Sequence, residues 1–366
     1  MFKSTLRAGL ILIAIVIVKS SIAGEFSYGP LETVTEFNDY REAGVTVTPQ
    51  GRVLVSMHPL DNPTYRVIEV MANGTKRPFP TVDWADGPNI GKVGMTAVIG
   101  IHSDKRGTVW MLDMGDDQHP TQLVAWDTIA NKLFRKIVIP KTSLESNSFA
   151  QDFVIDEKRG KIYIADMSLG NFVGEPKPAI IVVDIKTGIS RRVLESIDAF
   201  LSPSKDVVIN ATVLASKGNG AKTNKLYFGL NPIAIDDNYD WVYFATMNGT
   251  DIYRIPTKSL VNDTLSRGAL EAKIERFGPK NPSDGMLYVP KLGVVVTDLE
   301  HNAVGLSVNN TYKVLIKNKQ LSWPDSLAVS GDYIYVTQNE LHLHPAFSQG
   351  LGNSKPPYKL MRFKYK

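Results

Sequence analysis

Short runs of apolar residues, each closed by a tight turn and a second apolar run, recur along the whole chain. From Asp152 to Asp166, Phe153-Val154-Ile155 leads into an Asp/Gly-containing turn and then Ile162-Tyr163-Ile164-Ala165, with an acid at each end. This pattern predicts two antiparallel strands. Related stretches run over Val45 to Ser56, Ile99 to Asp113, Ile233 to Ala245, Met286 to Asp298 and Leu327 to Thr337. Their anchor residues Val53, Val109, Ile162, Val242, Val294 and Ile334 are spaced 56, 53, 80, 52 and 40 apart. Six units of that length predict an all-β fold, a six-bladed β-propeller with four strands to a blade. A pair of β-sandwiches would not produce such a self-similar period.

The outer strands follow from the same pattern. Ala179 to Asp184, a Lys-Thr-Gly turn and Ser190 to Leu194 make one outer hairpin. Tyr65 to Val70, Leu123 to Asp127 with Lys132 to Ile139, and Asp251 to Ile255 with Lys273 to Phe277 make others. Leu31 to Phe37 and Tyr358 to Lys366 also alternate, so one terminal strand is expected to complete a blade built from the opposite end of the chain, which removes exposed sheet edges. The longest spacing contains a polar, Gly-rich insertion from Glu195 to Asn224, read either as a flap near the channel mouth or as a disordered surface excursion. Trp110, Trp241, Tyr243 and Tyr335 fall in expected inner strands and read as packing residues.

Composition changes this picture in two places. Lys3 and Arg7 precede an apolar run from Ala8 to Val18, and Ser21-Ile22-Ala23 offers small residues for cleavage. Residues 1–23 therefore read as a secretory signal, with residues 24–366 forming a single propeller domain, secreted or periplasmic and no longer membrane-bound after cleavage. Without that leader the excess of basic residues falls from four to one, which leaves no electrostatic case for nucleic acid as a partner. The chain has no cysteine, which excludes disulfides and thiolate metal sites. The Asn-x-Thr triplets at Asn73, Asn210, Asn248, Asn262 and Asn309 read as turn chemistry. A monomer is expected.

Several segments together carry a family resemblance: Gly51 to His58, Gly107 to Asp113, Gln151 to Asp156, Ser190 to Leu194, Trp323 to Leu327 and Tyr335 to Leu341. In that order, over nearly all of residues 24–366, they resemble a bacterial member of the yellow/major royal jelly protein family. The resemblance implies a secreted six-bladed propeller. Insect members carry disulfides that this chain lacks. Some relatives are credited with dopachrome tautomerisation, and salivary relatives bind small aromatic amines in the channel. The implied function is binding of a small aromatic or quinonoid ligand, with a dopachrome-type tautomerase as the implied activity. A more distant similarity is to gluconolactonase and regucalcin, which hold a divalent metal with a Glu, an Asn and an Asp. Two other readings therefore stay open, a metal-dependent lactonase-like hydrolase and a protein-binding scaffold.

The residues that head the first strands of the later blades, Asp152, Asn231, Asp284 and Asp325, are expected at one channel mouth. Converging oxygens of this kind would bind a ligand or a hard cation, Ca²⁺ or Mg²⁺, and the bland alternative is that each caps its own turn. Glu42 lies near the place of the lactonase glutamate, although Ala43 or Gly44 aligns there. His58 and His102 are candidate general bases for proton transfer. Asn339, with Thr337 beside it, is a candidate ligand contact in a segment that lines the pocket of amine-binding relatives. His342 and His344 have the spacing that would place two imidazoles on one face of a strand, usable for Zn²⁺ or Cu²⁺.

Overall fold

The computed structural model describes residues 28–87, 93–169, 174–217 and 223–366, and the expected leader lies outside them. Six four-stranded antiparallel sheets follow one another, and their innermost strands contact in sequence until the last meets the first. The expected six-bladed propeller is therefore the observed fold. The innermost strands are Glu42–Val47, Val98–Ser103, Ala150–Asp156, Leu230–Ile235, Met286–Val289 and Pro324–Ser330.

Each second strand is sandwiched between neighbouring blades, which explains why it is apolar on both faces. Thr108–Asp113 and its apolar core Val109, Trp110, Met111 and Leu112 are fully buried, while the outermost strand Lys132–Val138 is mostly exposed. Each large apolar side chain so buried contributes ~1.5–3 kcal/mol. Trp110, Trp241, Tyr243 and Tyr335 belong to these second strands and not to the channel wall. Trp110 packs into the core shared with the third blade, and Arg254 covers the Trp241 ring at 4.0 Å.

The acids that punctuate the repeat have distinct duties. Asp104 and Asp236 close the inner turns by accepting N–H bonds from Arg106 and Thr108, and from Asp240 and Trp241. Asp113 and Asp166, at the ends of second strands, accept N–H bonds from Thr96 and Ala97, and from Phe149, which are the segments entering the inner strands of their own blades. Asn73 and Asn262 accept the N–H two residues on, as turn residues do.

The last blade joins the two ends of the chain. Its order runs from Pro324–Ser330 through Tyr333–Gln338 and Tyr358–Lys364 to Glu32–Phe37 at the rim, so the amino-terminal strand completes a blade otherwise made from the carboxy-terminal end. The described part of the insertion after the third blade is anchored by a few buried apolar residues. Val207, Ile209, Leu214, Leu226 and Phe228 share an apolar cluster with Trp323, Leu341 and Phe347. Ala215 exchanges backbone bonds with Phe347 and Gln349 of the loop after the last inner hairpin.

Candidate functional site

A β-bulge sits at the head of five of the six innermost strands, between Glu42 and Val45, Val98 and Ile101, Ala150 and Asp152, Leu230 and Ile233, and Pro324 and Leu327. A bulge adds an unpaired residue and re-aims its side chain. The blades also share a backbone bond, in which His58, Met114, Met167, Met247, Leu299 and Asn339 donate to Arg41, Ala97, Phe149, Gly229, Pro282 and Trp323. Counting from these bonds places Ala43, Ile99, Gln151, Asn231, Asp284 and Asp325 at equivalent positions round the channel. Asn231, Asp284 and Asp325 thus converge as expected. Gln151 holds the equivalent place at Asp152's blade, and Asp152 lies one residue deeper, aligned with Gly44, Gly100 and Gly285, where it meets Asp284 and Asp325 in a smaller cavity below the ring.

Above this ring is a cavity of about 200 Å³. Its walls are apolar, with Met114, Met167 and Met247 at matching blade positions and Phe149, Phe228, Trp323 and Phe347 around them. Phe228, just after the insertion, and Leu341 and Phe347 of the loop after Asn339 close its sides, while Val207, Ile209 and Leu214 of the insertion pack against Trp323, Leu341 and Phe347 without lining the cavity themselves. Gln151, Asn231, Asp284 and Asp325 form the polar floor, and His58 enters from the first blade.

The floor carries two hydrogen-bonded groups. Gln151 Nε2 donates to Asn231 Oδ1 at 2.8 Å, and Asn231 Nδ2 donates to Asp284 Oδ1 at 2.8 Å. The indole N–H of Trp323 donates to Asp284 Oδ2 at 2.7 Å, and Asn339 Nδ2 donates to Asp325 Oδ2 at 2.6 Å. Burial pushes Asp284 up to about 6 despite those donors. Asp325 is also raised well above the carboxylate range, first by burial and then by the neighbouring Asp284. Glu42 stands behind the floor, fully buried; burial pushes it up to about 8, and Oε2 has no hydrogen-bond partner among the described residues.

His58 is buried and pushed down to about 3, first by burial and then by Arg41 and His344, so its imidazole is neutral. Its Nδ1 accepts the Leu60 N–H at 3.2 Å, which leaves the ring proton on Nε2. His102 is elsewhere, deeper in the channel, with its Nε2 2.9 Å from Asp152 Oδ1.

Thr337 and Asn339 are fully buried behind the floor and do not line the cavity. Thr337 Oγ1 donates to the Ala43 carbonyl at 2.7 Å, joining the last blade to the first, while Asn339 Nδ2 also donates to the Glu42 carbonyl at 3.0 Å. The paired-imidazole reading of His342 and His344 is corrected. The strand stops at Gln338, Glu340 turns left-handed at φ 51°, and Leu341–Leu343 forms a 3₁₀ turn. His342 consequently stacks at 6° on the Trp323 ring, while His344 faces Asp61 at 3.9 Å.

Removing the two floor carboxylates should have unequal effects. Asp284→Ala strips the acceptor from both the Trp323 indole and Asn231, each worth about 1–3 kcal/mol when left unsatisfied in the interior. Asp325→Ala leaves Asn339 its second acceptor, the Glu42 carbonyl. Thermal melting should therefore place the Asp284 variant clearly below the Asp325 variant, and equal midpoints would contradict the network.

The comparisons with known proteins agree with this architecture. A gluconolactonase from Xanthomonas campestris is similar over 92% of this chain and 90% of that one, at 11% identity and a TM-score of 0.52. A luciferin-regenerating enzyme is similar over 92% and 95%, at 13% identity and a TM-score of 0.54. The calcium-binding protein regucalcin from Agrobacterium tumefaciens is similar over 93% of both chains, at 14% identity and a TM-score of 0.50. At such identities the likeness concerns the fold. No curated protein sequence matches the chain. The model of the family described as Major royal jelly protein matches residues 96–361, and the chain belongs to that family.

Proposed function

We propose that the channel mouth binds a small aromatic or quinonoid molecule and moves a proton on it, as a dopachrome-type tautomerase would. The observation that carries this reading is a small cavity with aromatic and thioether walls over a floor of carboxyl groups raised by burial above the ordinary carboxylate range. Methionine sulfur and aromatic edges suit a flat ring. Asp284, pushed up to about 6 by burial, and Asp325, raised by burial and by the neighbouring Asp284, are the groups that would accept and donate the proton. His58 supplies a neutral N–H donor from the side and, held far below its usual range, is the weaker base. Export with cleavage after Ala23 belongs to the same proposal, and amino-terminal sequencing of the mature protein checks it.

A hard cation is the second reading, because Glu42, Asp152, Asp284 and Asp325 gather acids around one channel. The residues as placed do not fit such a site. Both oxygens of Asp284 are engaged by Asn231 and Trp323, and among the described residues no three His, Cys, Asp or Glu side chains are grouped to hold a metal.

Thermal melting against dopachrome, catechols, aromatic amines, Ca²⁺ and Mg²⁺ separates these readings. A ligand that binds the folded state adds about 2.7 kcal/mol at a hundred times its dissociation constant. A rise with an aromatic compound supports the proposal, and turnover of dopachrome is then assayed. A rise with Ca²⁺ alone transfers the site to a cation, and a flat panel favours a protein-binding scaffold.

A further inference from the structure

The floor of the pocket has a second side. Ile99, Gln151, Asp284 and Asp325 also line a smaller cavity of about 20 Å³ deeper in the channel, shared with Asp152, His102 and Gly44, Gly100 and Gly285. A single water needs roughly 10–15 Å³ and two or more polar partners, and this space provides both. Asp152 Oδ1 accepts the Phe153 N–H at 2.8 Å and faces His102 Nε2 at 2.9 Å. The His102 ring is fixed edge-on against Phe153, with centroids 4.9 Å apart. It follows Ile99 by three residues on the same strand, past the bulge and further along the channel. Its side chain is 29% exposed.

We infer that Asp152 and His102 form a proton route between the pocket floor and the far end of the channel. The inference deepens the proton-transfer reading of the pocket and rests on it. A ligand seated among Phe149, Phe228, Trp323 and Phe347 covers the floor from above, so a carboxyl group there needs another path to solvent. The path below has a partner at each step. A floor carboxylate takes a proton from the ligand and later releases it to the cavity water, which gives one of its own to the Asp152 carboxylate. Asp152 passes a proton to the His102 imidazole, and the other ring nitrogen releases one to solvent. Each O–H or N–H bond that breaks is matched by one that forms, and no electrons are exchanged. Reprotonation of the ligand runs the same steps backwards. His102 therefore acts through Asp152 and does not touch the ligand.

The test uses the mature protein with dopachrome as the probe. His102→Ala should slow turnover about 100-fold, at the low end of what general acid–base transfer contributes, with the ligand-induced melting shift unchanged. Added imidazole should restore much of the lost rate to His102→Ala, and Asp152→Asn should be slow and not rescued. Unchanged turnover in both variants, or slow turnover without imidazole rescue, overturns the route. A parent protein that binds dopachrome without turning it over also overturns it, while leaving the binding pocket standing; absence of any aromatic binding removes both. If His102→Ala does not fold, a crystal structure of the parent decides. A water touching Asp152 and either Asp284 or Asp325 supports the route, and a dry cavity sinks it.

Discussion

Substituting Gly285 with alanine is expected to lower the stability of the protein by about 3 kcal/mol, the upper end for overpacking a filled interior, read as a lower urea midpoint. The new Cβ would lie 2.1 Å from the Asp325 carbonyl oxygen and 3.2 Å from its carbon. Those atoms are backbone of the adjoining innermost strand, so no side chain can swing aside. Gly44 is in the same situation, 2.2 Å from the Ile99 carbonyl oxygen. Small residues at this depth let neighbouring blades close on one another beneath the pocket floor. Because relief of the clash has to displace Asp325, aromatic binding should weaken in parallel with stability. Gly268→Ala is the control: it lies in the short helix Arg267–Glu271 with nothing among the described residues within 4 Å of the added atom. There alanine should add up to about 1 kcal/mol. A Gly285 variant that melts like the parent would show that the blades are not in contact as described.

The second large effect is on pH dependence, and Glu42→Gln isolates it. An unfolded glutamate titrates near ~4.3, whereas burial holds Glu42 up at about 8 in the folded protein. Between those values the folded state holds more protons than the unfolded chain, so this group's contribution to stability falls as pH rises and is fully lost above about 8. Asp284, raised to about 6, and Asp325 act in the same direction. His58 and His342, pushed down to about 3 and about 4, act oppositely: their contribution is lost as pH drops below ~6.5. Glu42→Gln should keep the bond from the Gln338 N–H, which Oε1 accepts at 2.9 Å, and remove the ionisation. A tenfold change in proton affinity between the folded and unfolded chain corresponds to about 1.4 kcal/mol. A gain of roughly 1–3 kcal/mol is therefore expected near the top of that window, after allowing for the new amide's unmet N–H groups. At the acid end of the window the gain should vanish. Melting curves of parent and variant that stay parallel across the whole range would refute the buried, protonated Glu42.

The blades were legible because each repeats the same local physics, an apolar pair of strands with a turn acid, and six copies reinforce one another. The polar floor was partly legible. Asn231, Asp284 and Asp325 recur at strand heads, and the structure groups them. Asp152 sits one residue below that ring, because at a bulge one extra residue exchanges the two faces of a strand. A signal was present, since Asp152 aligns with Gly44, Gly100 and Gly285 and not with Asp284. His102 and His58 look alike as single histidines near strand ends, yet three further steps along its strand carry His102 out of the pocket. Gln151 and Trp323 do not stand out from the segments that contain them, because carboxamides and indoles carry no spacing rule of their own. The methionine wall does have a signal in the chain: Met114, Met167 and Met247 each come directly after a second strand.

The strand Glu32–Phe37 pairs with Tyr358–Lys364 across almost the entire chain, with Glu32 opposite Arg362. Such a seam cannot form on a ribosome until the last strand has emerged, so the growing chain carries an open ring through nearly all of its synthesis. Closing it means a search over the longest loop the sequence offers, the slow kind of contact that governs folding rates. Until then the first and last blades expose the edges that the seam later hides, which makes the moment before closure the stage most exposed to aggregation and to holding by chaperones.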